Sequence, residues 1–291
     1  MRRVPSPWAA AAIALFLLTA CARPDAPGGT WPSPSTPSAA PAGGALVLRV
    51  ERVGGMTAPD QMPGPLPPVS VYADGRLISQ GPQIAIYPPP ALPNVQVQRL
   101  DPATVDGLVA EARAAGVRPG GDLGQPGVAD AVTTRITVTD GDGRDTVDVL
   151  ALSEARPDDP RLTPAQRQAR ATLAAFVQKL TDLSTARGVP EPQPYRPESV
   201  AALARPYAAP PDGLPEPPAV VTWPGPALPG AALAGTTGCV TVSGAAAGPV
   251  LAAAGSATTI TPWRSGGRLW SVRVRPLLPD EGGCADLTPS R

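Results

Sequence analysis

Histidine is absent from the 291 residues, and lysine occurs once, at Lys179. Without an imidazole, Ser-His-Asp and Cys-His catalysis fall away, together with most zinc sites. Phe176, not serine, stands three residues before Lys179, so the S-x-x-K arrangement of penicillin-recognising enzymes is missing, as is any G-x-S-x-G elbow. An excess of charge is lacking too: 24 basic residues face 24 acidic ones, which leaves no basic footprint for nucleic acid. Aromatic residues make up only 4% of the chain. The apolar run over residues 8–20 is too short to span a bilayer, covering about 20 Å of a hydrocarbon core about 30 Å thick.

That short run carries the strongest signal present. Arg2 and Arg3 precede it, and it closes on Leu18-Thr19-Ala20-Cys21. A positive start, a short apolar stretch and small residues before a cut form a signal peptide over residues 1–20. Val4-Pro5-Ser6-Pro7 does not support a twin-arginine signal. The four closing residues resemble the lipobox of bacterial lipoproteins. The resemblance implies cleavage after Ala20 by a type II signal peptidase and a diacylglycerol on the Cys21 sulfur, anchoring the exported chain to the outer face of the plasma membrane. A thiolate is the nucleophile that such a thioether needs, and paired acyl chains hold far better than one. The alternative is an ordinary secretory signal with a coincidental cysteine.

Export frames the other cysteines. With Cys21 acylated, Cys239 and Cys284 remain as an even pair, and an oxidising compartment favours a disulfide between them; two separate buried thiols are the alternative. Loss of Arg2 and Arg3 with the leader tips the balance slightly acidic. Proline is abundant at 42 residues, glycine numbers 30, and every basic residue but Lys179 is arginine. This composition points to a high-GC bacterial source such as an actinomycete. The prolines cluster, with patterned segments between the clusters, so we expect folded modules joined by extended connections.

Residues 21–44 read as the lipidated cysteine and a disordered Pro/Ser/Gly tether, followed by an α+β module over residues 45–187. Strands are expected at residues 46–53, 69–72 and 77–78, the last two joined by Ala73-Asp74-Gly75-Arg76, whose Asp-Gly supplies the positive φ of a hairpin turn. Val95-Gln96-Val97-Gln98 alternates as a strand. A helix begins at N-cap Asp101 with Pro102 at N1 and ends at Gly116, burying Val105, Leu108, Val109 and Ala112. Strands over residues 133–139 and 145–152 flank Asp140-Gly141-Asp142-Gly143. A second helix opens with a capping box at Thr163 and Gln166 and buries Ala169, Leu173, Phe176, Val177 and Leu180. Residues 188–219 read as a Pro-rich connection with an edge strand at 199–204. A smaller β-rich module, closed by the disulfide, is expected over residues 220–287, with strands at 239–242, 258–263 and 269–274, an Ala-rich helix begun by Pro249, and a tail at 288–291. The fold class is therefore α+β: a β-rich module with two packing helices, then a smaller disulfide-closed β-rich module.

Few constellations invite chemistry. The glycine-rich stretch 120–127 follows a helix rather than a strand, so it reads as a loop and not a phosphate cradle. Asp140, Asp142, Asp145 and Asp148 have Asp-x-Asp spacing, but Ala151 stands where an EF-hand requires glutamate. We expect a turn with solvated carboxylates, no metal and no cofactor. The most suggestive surface is near the C-terminus. Ser271, Arg273 and Arg275 share one strand face, and Arg264 and Arg268 flank a turn beside Trp263. An arginine row with aromatics can bind an anionic glycan, a teichoic acid or lipid headgroups. An outward sheet face with inward tryptophan anchors is the plainer alternative.

The stretches 71–76, 86–88 and 275–281 are similar to segments of uncharacterised actinobacterial lipoproteins, a family with no assigned activity to carry over. The expectation is a lipid-anchored, non-enzymatic envelope protein that binds an envelope protein or an anionic wall polymer. The rival is a carboxylate-dependent hydrolase acting on cell-wall polymers, which needs only two acids about 5–10 Å apart.

Overall fold

Alternating apolar residues and well-capped helices build the first half of the chain, in a computed structural model that describes residues 44–56, 63–141, 143–186, 188–210 and 218–288. Strands β1 (Leu46–Gly54), β2 (Val69–Tyr72), β3 (Arg76–Gln80) and β4 (Val95–Arg99) precede helix α1 (Pro102–Ala115); β5 (Val132–Asp140), β6 (Gly143–Leu150), helix α2 (Pro164–Asp182) and the two-residue β7 (Gln193–Pro194) follow. The strands form one antiparallel sheet in the order β6-β5-β1-β2-β3-β4-β7. Register places Leu48, Val50, Val69, Val71, Leu77, Ile136, Val138, Val147 and Val149 on one face, where α1 and α2 cover them. The helix starts match the expectation. Asp101 accepts from the Thr104 amide, and Thr163 and Gln166 form a reciprocal capping box. The hairpin turn is also as expected. Gly75 has φ +85°, and a Cβ there would meet the Leu100 carbonyl oxygen at 2.4 Å.

A second sheet contains β8 (Ser199–Pro206), β9 (Val221–Thr222), β10 (Ala231–Ala234), β11 (Thr237–Ser243), β12 (Pro262–Ser265) and β13 (Arg268–Pro276), in the order β10-β11-β8-β13-β12-β9, with helix α3 (Ala247–Gly255) between β11 and β12. Val200, Ala202, Ala204, Val242, Val272 and Val274 face α3 together with Trp223, Trp263 and Trp270; Trp223 meets Trp263 edge to face, with ring centroids 5.5 Å apart. Two expectations need correction. The edge strand in a Pro-rich connection is instead the central β8, paired with β11 and β13. Ala201 to Ala204 are buried on both faces, so the segment lacks the alternation that marks a half-exposed strand. The strand expected over residues 258–263 begins only at Pro262. Before it, the Thr258 amide donates to Thr261 Oγ1 and the Thr261 amide to the Thr258 carbonyl, closing a turn.

The Cys239–Cys284 disulfide is present, with Cα atoms 5.9 Å apart. It closes a separation of 45 residues, which the chain-entropy model rates at about 4 kcal/mol. The bridge pins the C-terminal segment beneath the second sheet, against Ala201, Leu203 and Leu277.

The two sheets belong to one compact unit. Their joint lies on the face of the first sheet that the helices leave open. Arg49 is 7% exposed there. Its guanidinium donates to Ser70 Oγ at 3.0 Å, to the Tyr72 hydroxyl at 3.2 Å and to Asp280 Oδ1 at 2.7 Å, and the Tyr72 hydroxyl donates to the same carboxylate at 2.7 Å. Burial alone would lower the Arg49 pKa, but Asp280 and its neighbours more than offset this and raise it. Burial pushes the Tyr72 hydroxyl well above its ordinary value, so it stays a donor. The next residue, Glu281, pairs with buried Arg275 of β13 and accepts the Leu278 amide at 2.7 Å. Leu278 packs with Leu46, Tyr72, Ile78 and Val95.

Removing Asp280 strands a buried cation, whereas removing Arg49 leaves a carboxylate that keeps the Tyr72 donor and some solvent. Asp280→Ala is therefore expected to cost about 3 kcal/mol in urea unfolding, and Arg49→Met clearly less. Equal losses would show that the pair is not a buried charge clamp.

Candidate functional site

The structure separates the residues expected to form an anion-binding surface. Trp263 is fully buried in the core of the second sheet. Arg275 is 3% exposed and held by Glu281, with Arg275 Nη2 2.8 Å from Oε1. Arg273, one step along the same face, donates to the Pro63 carbonyl. Burial, followed by the neighbouring charges of Arg275 and Arg205, pushes its pKa down to about 10. Arg264 is exposed. Arg268 is exposed as well, but leans over the Trp270 ring at 5.1 Å on the opposite strand face. The five therefore do not share one open surface. A loop over the β13 face, bonded through Pro63 and Gly64, covers the middle of the row. Gly64 has φ +68° and would place a Cβ 2.8 Å from Leu287, so this cover fits closely.

The carboxylate cluster is engaged by arginine. Arg113 of α1 reaches both Asp140, at 2.8 Å, and Asp145. Arg135 grips Asp148 through two 2.8 Å bonds. Asp142 lies outside the described residues, as do Cys21 and the whole stretch of residues 1–43. Among the described residues, no group of three His, Cys, Asp or Glu side chains is placed to hold a metal ion. The glycine-rich stretch 120–127 is tied down by acids and by α2: Gly124 N donates to Asp122, Gly127 N to Asp159, and Arg170 to the Leu123 carbonyl. Arg170 sits within the apolar stripe of α2 and also holds the Leu150 and Ala151 carbonyls. Only a polar residue at a buried helical position could have hinted at this in the sequence.

The feature that stands out as a surface was not singled out in the sequence. No charged residue occurs over residues 77–98 or 217–263. Folding brings parts of these two neutral stretches together. The long loop between β3 and β4 is fastened at its neck, where Gly81 N donates to the Asn94 carbonyl and Asn94 Nδ2 to the Pro82 carbonyl at 2.9 Å. Its descending limb docks on the turn before β12 through Ala91 N to Ala257 O and Thr259 N to Pro89 O. Between these fixed points Ile84, Ile86 and Tyr87 are exposed by 61, 57 and 53%. Val220 is 42% exposed and precedes β9, which runs parallel to the start of β12 beside that same turn. Four of the five large apolar side chains most open to water among the described residues therefore gather at one end of the unit. The β1 start, where the chain leaves residues 1–43, pairs with Tyr72 at the other end of the first sheet.

The chain matches no protein-family model, no curated protein and no solved structure. Any functional reading therefore rests on the chain's own geometry. That geometry offers a rigidly footed, uncharged apolar projection and open hollows such as one of about 450 Å³ beside α1 and one of about 580 Å³ beside α3. A projection of this kind can dock.

The arginine grip on Asp148 has a pH signature. Hydrogen bonding to Arg135 holds the Asp148 carboxyl below the ordinary range, so its stabilisation is complete above about pH 5 and fades as pH falls through the lowered value. Asp148→Asn should cost about 0.5–1 kcal/mol at pH 7 and almost nothing at pH 2, read by urea denaturation at both. An equal gap at both pH values would contradict the assignment.

Proposed function

We propose that the chain is an exported, lipid-anchored envelope protein that acts as a non-enzymatic docking module. Anchoring is supported by Arg2-Arg3, the short apolar run and Leu18-Thr19-Ala20-Cys21. The Cys239–Cys284 disulfide agrees with an oxidising compartment. Among the described residues no helix is long and apolar enough to cross a membrane, so membrane attachment in this reading falls to the acyl chains on Cys21.

The observation that carries the docking role is the neutral apolar end built from Ile84, Ile86, Tyr87 and Val220. Large apolar side chains held open to water on a fixed base cost solubility and invite aggregation, so a cluster of them points to an occupant. The occupant is uncharged where it touches. An anionic wall polymer would need the arginine face, whose central members are covered. The densest acids do not favour the hydrolase reading, because Asp140, Asp145 and Asp148 are each bound by arginine.

Cys21→Ser should abolish labelling by a clickable palmitate analogue and move the protein out of the acylated membrane fraction. A variant that is still labelled, or processed at the same site without label, would overturn the anchor.

A further inference from the structure

We propose that the neutral end of the unit docks on the lipid bilayer itself, with Ile84, Ile86 and Tyr87 entering the headgroup and upper acyl region and Val220 at its edge. The proposal rests on the reading of Cys21 as an acylated anchor and adds a second, non-covalent contact with the same membrane.

Three observations favour a bilayer over other occupants. The first is charge. The contact region falls within stretches 77–98 and 217–263, which contain no Asp, Glu, Lys or Arg, and such a surface pays no desolvation penalty for ions on entering an apolar medium. Tyrosine beside isoleucine suits the boundary between headgroups and acyl chains.

The second is shape. Residues 82–87 are exposed one after another, so the apolar side chains point outward on every side of the loop rather than forming a flat face. A fluid medium can surround such a projection. A self-paired contact between two copies would leave half of it in water. Of two open hollows that a second copy would offer, one is rimmed by Asp106, Arg113 and Asp140 and the other includes Glu198, so neither is free of charge.

The third is reach. The described chain starts at Gly44, at the end of the first sheet away from the loop, and 22 residues separate it from Cys21. Their covalent length allows about 75 Å, while a unit of this size is about 45 Å across. The far end can therefore turn to the membrane that holds the anchor, and confinement beside that membrane makes a weak contact sufficient. The hydrogen-bonded neck and the foot on Thr259 keep the side chains presented without ordering cost at contact.

The test uses the purified full-length mature protein in phosphatidylcholine vesicles, with a nitroxide at Ala85→Cys or, as control, at exposed Ala103→Cys at the other end. Power saturation should give position 85 a several-fold higher ratio of oxygen to nickel-chelate collisions than position 103. The ratio should not change when phosphatidylglycerol or salt is added. Ile84→Ser with Ile86→Ser should bring it down to the control value without altering the melting temperature. Equal ratios at the two positions, or enrichment at 103 alone, would overturn the proposal. So would spin–spin broadening at 85 without oxygen enrichment, which would identify a second copy, or enrichment that appears only with phosphatidylglycerol. The mass of the N-terminal peptide from the same sample reports acylation separately. A missing diacylglyceryl group defeats the anchor reading; in the acylated protein Cys21 takes no nitroxide, so the label at 85 reports on the patch alone.

Discussion

One acidic dipeptide, Asp280-Glu281, holds the molecule together. Asp280 neutralises Arg49, buried on the open face of the first sheet, and Glu281 neutralises Arg275, buried on the facing side of the second. Neither arginine could remain inside without its partner, because an unpaired buried cation costs several kcal/mol. Two sheets that each hide a charge are thus satisfied only when a single short segment lies between them. Leu278, just before the dipeptide, fills the apolar gap among Leu46, Tyr72 and Ile78. The disulfide then holds the chain beyond the dipeptide under β11.

The exposed apolar patch depends on this joint. Ile84, Ile86 and Tyr87 belong to a loop of the first sheet, but its foot rests on Ala257 and Thr259 of the second, and Val220 comes from the second sheet's edge. If the sheets moved apart, the patch would lose its shape. A charge clamp in the middle of the unit therefore has a consequence at one end of it: it fixes the only region where the chain shows water a cluster of large apolar side chains among the described residues.

The elements governed by local physics were legible in the sequence. Pro102 after Asp101, the Thr163–Gln166 box, the Asp74-Gly75 turn and the alternation in β5 each specify their structure within a few residues. The mixed, β-rich α+β architecture followed from them, and the disulfide followed from cysteine parity once Cys21 was assigned to lipid. Elements governed by distant partners were not legible. β8 is buried on both faces, so it shows no period of two. The arginines of β13 alternate with Val272 and Val274 like a solvated face, but Pro63 and Gly64, far away in sequence, cover them. The patch is not legible in the sequence because absent charge in two separate stretches means little until folding sets them side by side.

The central claim is that the two sheets form one cooperative body, and native-state hydrogen exchange tests it most directly. Amides in β2 and β8, such as those of Val71 and Ala202, should open with the same free energy and respond to urea with the same slope, and Asp280→Ala should uncouple them. If the β8 and β13 amides of the unaltered protein open at clearly lower free energy while β1, β2 and β5 remain protected, the sheets are independent and the Asp280-Glu281 clamp does not unite them.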